Sequence, residues 1–174
     1  MIRGTIVNLR PVTPDDLAVL DARTNDAGFV GEFNDFGLRP VGTYSQRFAE
    51  DGMLSERHGT LLVELADGTP IGDVSYHQVA YGPNAGGRVY NIGIALAPEQ
   101  RGKGYGTAVQ RLLAEYLFAT YPIMRVEAST DLANLAEQRA LEKAGFTREG
   151  VLRQAQWRNG GWHDMVVYSK LRGE

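Results

Sequence analysis

Apolar and polar positions divide this chain into short alternating runs and helical stripes. Ile6, Val7 and Leu9 make Thr5 to Arg10 the first expected strand, closed by Pro11. Thr13 then stands as a helix cap with Pro14 at the first helical position, followed by Leu17, Val19 and Leu20. Between Asn25 and Gly42, Phe29, Val30, Phe33 and Phe36 lie scattered among Gly, Asn and Asp. That pattern predicts either a pair of short helices forming a flap or a surface loop that covers the core. Tyr44 to Met53 reads as a short helix. Thr60 to Leu65 and Pro70 to Val79 read as an antiparallel pair joined through Asp67-Gly68, a hairpin dipeptide.

Tyr81 to Arg88 is turn chemistry throughout, and the strand Val89 to Leu96 follows it. Tyr90, Ile92, Ile94 and Leu96 share one face of that strand. The small Gly93 and Ala95 share the other, where something can approach closely. Val109, Leu112, Leu113, Tyr116 and Leu117 recur at helical spacing across Thr107 to Phe118, and Arg125 to Thr130 reads as a strand. A second helix is expected over Asn134 to Ala144, with Asn134 as cap, Glu137 as its box partner and Gly145 as the left-handed residue at the end. Val151 to Trp157 and Trp162 to Leu171 pair around Asn159-Gly-Gly161. The order predicts a mixed α/β (α+β) fold in a single domain, residues 1–174, with no internal repeat or linker.

Composition narrows the chemistry. Hydrophobic residues are 43% and charged residues 22% of the 174, an ordinary globular balance. Cysteine is absent, which excludes disulfides, cysteine-ligated metals and a cysteine nucleophile. A formal charge of -3 argues against a strongly basic nucleic-acid footprint. The start has no long apolar stretch, and no later segment reaches the ~20 apolar residues of a membrane span. The expectation is therefore a cytoplasmic protein with neither nucleic acid nor membrane as partner and no metal.

Gln100-Arg-Gly-Lys-Gly-Tyr-Gly106 sits between a strand and an amphipathic helix. Its glycines free backbone N–H groups to face an anion, the helix start adds partial positive charge, and Arg101 and Lys103 add full charges. A Walker A loop is excluded by spacing. A dinucleotide fingerprint needs glycine where Thr107 stands, although Glu127 lies near the distance of a ribose-binding acid.

Arg101-Gly-Lys-Gly-Tyr-Gly106 resembles the Arg/Gln-x-x-Gly-x-Gly/Ala motif of the GNAT superfamily of N-acetyltransferases. Ile92 to Pro98 looks like that family's fourth strand, and Asn134 to Phe146 resembles its second motif. The tail from Gly150 to Asp164 is similar to the RimJ/RimL branch, which acetylates ribosomal-protein amino termini. The resemblance implies a mostly antiparallel sheet flanked by helices and opened between its fourth and fifth strands, with acetyl-CoA as acyl donor. Backbone groups at Ile94 and Leu96 would pair with the pantetheine arm. The N–H groups of Arg101, Gly102, Lys103, Gly104, Tyr105, Gly106 and Thr107 would hold the pyrophosphate, with Asn134 bonding the arm from the other side.

The implied acceptor is a primary amine, on a small molecule or at the amino terminus of a peptide or protein, and the implied state a monomer or homodimer. Attack needs the amine to lose a proton, through a carboxylate, a His or ordered water. Several positions that usually supply such groups depart from the family: Leu141 replaces a Tyr, Glu137 a Ser, Asn91 a Glu, and Gln156 stands at the position of a carboxylate base. Glu127 and Gln156 are the catalytic candidates, with His163 and Asp164 in the final hairpin behind them. A non-catalytic acyl-CoA sensing module, or transfer of a longer acyl group, stays open at this point.

Overall fold

The computed structural model describes the backbone from Met1 to Glu174 and every side chain except that of Ala85. Its strands are β1 (Ile2–Arg3), β2 (Asn8–Pro11), β3 (His58–Glu64), β4 (Pro70–Ala80), β5 (Arg88–Leu96), β6 (Arg125–Asp131), β7 (Thr147–Arg158) and β8 (Gly161–Leu171). The α-helices are α1 (Leu17–Arg23), α2 (Ala27–Val30), α3 (Thr43–Asp51), α4 (Tyr105–Thr120) and α5 (Leu135–Lys143). The expected elements are all present. The segment from Asn25 to Gly42 forms one short helix and a run of turns, and the strand expected over Thr5 to Arg10 is shorter, starting three residues later at Asn8 and ending one later at Pro11. Pro11 stays in the ladder as the last residue of β2, opposite Leu61, where a missing N–H costs least.

The described residues form one eight-stranded sheet in the order β1-β2-β3-β4-β5-β6-β8-β7. All neighbours are antiparallel except β5 and β6. That parallel pair is short: Tyr90, Ile92 and Asn91 face Val126, Ala128 and Glu127, and the pairing stops there. β5 continues to Leu96 against β4, and β6 continues to Asp131 against β8. The sheet therefore splits into a wedge beyond Ile92. The strands that splay are the fourth and fifth of the sequence reading; the two-residue β1 raises their numbers by one.

The two faces of the sheet are covered differently. Val74, Tyr76, Tyr90, Ile92, Val126, Ala128, Val166 and Tyr168 pack with Val109, Leu113 and Leu117 of α4 and Leu141 of α5 in the larger core. On the other face Leu62 meets Val12, Leu20 and Met53 under α1 and α3. α5 ends as its sequence requires: Gly145 has φ +89°, its N–H reaches Glu142 O at 3.1 Å, and Phe146 N–H reaches Leu141 O at 3.0 Å. These are the two bonds of a Schellman cap. The final hairpin turns on Asn159 and Gly160, both at positive φ, which matches the right-handed twist of β7 and β8.

Candidate active site

The loop between β5 and α4 has the shape of an anion cradle. Gly102 and Gly104 sit at φ +75° and +85°, a conformation that costs an L-residue about 1–2 kcal/mol, and a Cβ at either would meet no atom within 4 Å. Glycine is needed there for backbone shape and not for room. Among the described residues, the amides from Gly102 to Thr107 find no protein acceptor, and the sixteen-residue α4 starts behind them. Arg101 is different. Its N–H bonds Pro98 O at 3.2 Å, and its guanidinium bonds the carbonyls of Leu96 at 2.9 Å and Phe29 at 2.5 Å. It fastens the end of β5 to α2. Lys103 reaches only Gln100 Oε1, at 3.2 Å.

The wedge supplies a second feature. Ala97 N–H donates to Ile71 O, so alternation turns the peptide groups of Ala95 and Ala97 toward β4. Those of Ile94 and Leu96 point into the gap, where β6 no longer runs alongside; the Leu96 carbonyl is already held there by Arg101 Nε, which leaves its N–H and the Ile94 peptide as the open edge. A chain-like amide ligand laid there would find a strand edge to pair with. On the far side of the gap Asn134 caps α5: its Oδ1 accepts from Glu137 N–H at 3.2 Å and its Nδ2 donates to Thr130 Oγ1 at 3.0 Å.

On the opposite face of the sheet, α1, α2, α3 and the turns between them roof a cavity of about 570 Å³. Its floor is Thr60, Asp73, Ser75 and the Gly93, Ile94 and Ala95 stretch of the splayed strand. Asp73 is opposite Ala95 in the β4–β5 register and 7% exposed. Gly72 beside it is a place where only glycine fits, because a Cβ would lie 2.2 Å from Ala95 O. That absence draws β4 against the splayed end of β5. The Asp73 carboxylate makes no hydrogen bond or ion pair to the described residues. Burial pushes its carboxyl up to about 6, against the pull of Arg23, Arg47 and Arg39. A carboxylate poised near neutral pH beside an opened strand can take a proton from a bound amine.

The carboxylate predicted from sequence lies elsewhere on this face. Glu127 is 4% exposed on the paired stretch of β6, opposite Asn91. Arg125 Nε bonds it, and Tyr81 Oη donates to it at 3.3 Å. Gln156 Oε1 accepts from Arg158 Nη1 at 2.6 Å. Arg158, 3% exposed, also bonds Asp131 and Phe33 O, while His163 Nδ1 lies 3.0 Å from Asp131 Oδ2. This cluster ties the β7–β8 hairpin to the end of β6 and to the turn after α2. Asp164 accepts from Gln154 N–H at 2.8 Å. Glu137, read from sequence as a cap partner, instead takes Gln110 Nε2 at 2.8 Å, and burial pushes its carboxyl up to about 7.

Sequence comparison agrees with this architecture. Residues 7–147 match the model of the acetyltransferase (GNAT) domain, and the chain belongs to that family. It is 31% identical to a probable N-acetyltransferase, YjcK, of Bacillus subtilis (strain 168), across 98% of this chain and 97% of that one. It is also 31% identical to an aminoglycoside N(6')-acetyltransferase type 1 of Klebsiella pneumoniae, across 84% and 76%. Mycobacterium smegmatis RimJ in complex with CoA-disulfide superimposes with a TM-score of 0.78 over 97% of this chain and 86% of that one, at 22% identity, a likeness of fold. The chain is thus an acyl-CoA-dependent N-acetyltransferase with acetyl-CoA as donor. Among its described residues no helix is long and apolar enough to cross a membrane, and no cluster of His, Asp and Glu could hold a metal.

Proposed function

We propose that the acceptor is a primary amine bound in the cavity under α1, α2 and α3, and that Asp73 takes its proton. The observation that carries this is the unpartnered Asp73 carboxylate on the strand adjacent to the splayed end of β5. Acetyl-CoA supplies the thioester carbonyl that the amine attacks. In this reading the free amides of Gly102 to Thr107 hold the pyrophosphate, with Lys103 beside them. Peptide groups of Ile94 and Leu96 align the pantetheine arm, and Asn134 borders it. Arg101 acts indirectly, by holding β5 and α2 together. Transfer forms an amide C–N bond and breaks the thioester C–S bond; one proton passes from the ammonium to Asp73, and the second, lost by the attacking nitrogen as the amide forms, is taken up by the departing thiolate.

Glu127 and Gln156 are positioning residues in this scheme, because each is already engaged by an arginine. The Asp73 carboxylate, on the floor of the cavity, has no such partner among the described residues. Thiol release, measured with acetyl-CoA over a panel of amines, tests the scheme. Asp73→Asn is expected to lower kcat/KM by about 10²–10⁴-fold while acetyl-CoA still binds, and to abolish the acid limb of the pH profile near pH 6. Full turnover in that variant would remove Asp73 from the mechanism.

A further inference from the structure

The walls of the acceptor cavity carry more charge than proton transfer needs. Arg23 at the end of α1, Arg39 in the turn before α3 and Arg47 within α3 all line it. Among the described residues none of the three guanidiniums has a carboxylate within ion-pair distance or a side-chain hydrogen bond. Arg23 is held by stacking on Phe29, 4.7 Å from the ring centre, and its Nη1 is buried with no partner. A buried guanidinium N–H without an acceptor is costly, and a ligand oxygen removes the cost. The other acid of the lining, Asp35, is exposed, and its Oδ1 accepts from Gly37 N–H at 3.1 Å, so the three guanidiniums still outnumber the two carboxylates of the lining.

The cavity is therefore two-ended. Its floor presents one carboxylate beside the reactive strand, and its roof presents three unpaired cations. A polyamine or an aminoglycoside would place its surplus positive charge against those arginines, at a cost that grows as water is excluded. A zwitterion matches both ends.

Resting on the reading of this cavity as the amine site, we infer that the acceptor is a small primary amine that also carries a carboxylate or phosphate. Its amine lies over Asp73 and its anionic group is held by Arg23, Arg39 and Arg47. At about 570 Å³ the cavity has the size of an ordinary small-molecule site, so the whole acceptor fits inside it.

The test uses the full chain and paired acceptors in the thiol-release assay. The pairs are an amino acid against its carboxamide, and 2-aminoethyl phosphate against ethanolamine, with spermidine and kanamycin alongside. The anionic member of at least one pair should exceed its neutral partner in kcat/KM by tenfold or more; which pair responds tells carboxylate from phosphate. Arg39→Gln, at an exposed position, and the double variant Arg39→Gln/Arg47→Gln should cut that preference by about 10–100-fold, the effect of losing hydrogen bonds to a charged group. The inference falls if spermidine or kanamycin is the better substrate, or if the preference survives in the double variant. If calorimetry shows acetyl-CoA bound yet no amine of any charge is acetylated, the amine-acceptor reading itself falls, and this inference with it.

Discussion

Asp73→Asn separates the stability of this site from its chemistry. In the folded protein burial holds the Asp73 carboxyl at about 6, against an ordinary value of 3.8. At 1.36 kcal/mol per pH unit, the gap amounts to about 3 kcal/mol. A folded-state value raised above the unfolded one means that the native protein binds the proton more tightly. The wild type therefore loses stability as pH climbs from about 4 to about 6, and the loss is complete above that. Asn keeps the shape of the side chain and carries no charge, so the variant lacks this slope. The two proteins should melt together near pH 4 and diverge by up to about 3 kcal/mol at pH 8, with the variant more stable. For a chain of this size that is about 2–4 °C per kcal/mol. Calorimetric melts of the ligand-free proteins at pH 4, 6 and 8 read it directly. A variant no more stable than wild type at pH 8 would mean that the arginines already compensate the charge, and the reasoning about a poised, unpartnered acid would be refuted.

Four further substitutions probe separate parts of the structure. Gly104→Ala forces a side chain onto φ +85° and should cost about 1–2 kcal/mol in a urea titration and raise KM for acetyl-CoA. Gly106→Ala, whose Cβ would lie 3.9 Å from Leu96 Cδ1 inside α4, should leave the melting temperature of the free protein equal or slightly higher. Asp131→Ala leaves the Arg158 guanidinium, 3% exposed, without its carboxylate; denaturant unfolding should show a loss of about 3–5 kcal/mol. Glu137→Gln removes a carboxylate that burial holds near pH 7 and can offer an N–H to Gln110 Oε1, which is buried without a partner. Glu137 keeps partial exposure, so solvent screening limits the gain at pH 8 to about 2 kcal/mol, vanishing below pH 4.5.

The parts of the site that depend on neighbours in the chain were legible in the sequence. Gly102 and Gly104 stand between a strand and a helix, and Asn134, Gly145 and Phe146 frame α5 with cap chemistry that acts within one turn. Asn159-Gly160 sets its hairpin for the same local reason. Asp73 was not legible. In Pro70 to Val79 it occupies a polar position of an alternating strand, which is the pattern of a solvent-facing residue. It is buried only because α1, α2 and α3, with Arg23 fifty residues earlier in the chain, fold over that face. Arg101 shows the reverse error of locality. Its charge beside a glycine loop points to phosphate, yet the carbonyl of Phe29, far away in sequence, captures its guanidinium. The one usable sign was Gly72: a glycine inside a strand marks a close backbone approach, and the residue after it is where β4 meets the splayed edge.

The same contrast explains how the two ends of the acceptor cavity differ as physical objects. Asp73, Ser75, Gly93 and Ala95 lie on strands held by a continuous ladder of cross-strand pairs from Gly72 to Ala80, so the proton acceptor and the opened edge keep a fixed separation. The arginines stand on short elements. α1 and α3 span seven and nine residues, and Arg39 sits in a turn pinned by two reciprocal bonds between its backbone and the Asn25 side chain, at 2.9 and 3.0 Å. Helices of that length depend on tertiary packing for their order, and here the packing rests on the small cluster of Val12, Leu20, Met53 and Leu62. Substitutions in the roof can therefore change which charges face the cavity without disturbing the register that places Asp73 against β5. On the proposed reading, acceptor choice and amine deprotonation are separable in this chain, because the first is written in the roof and the second in the sheet.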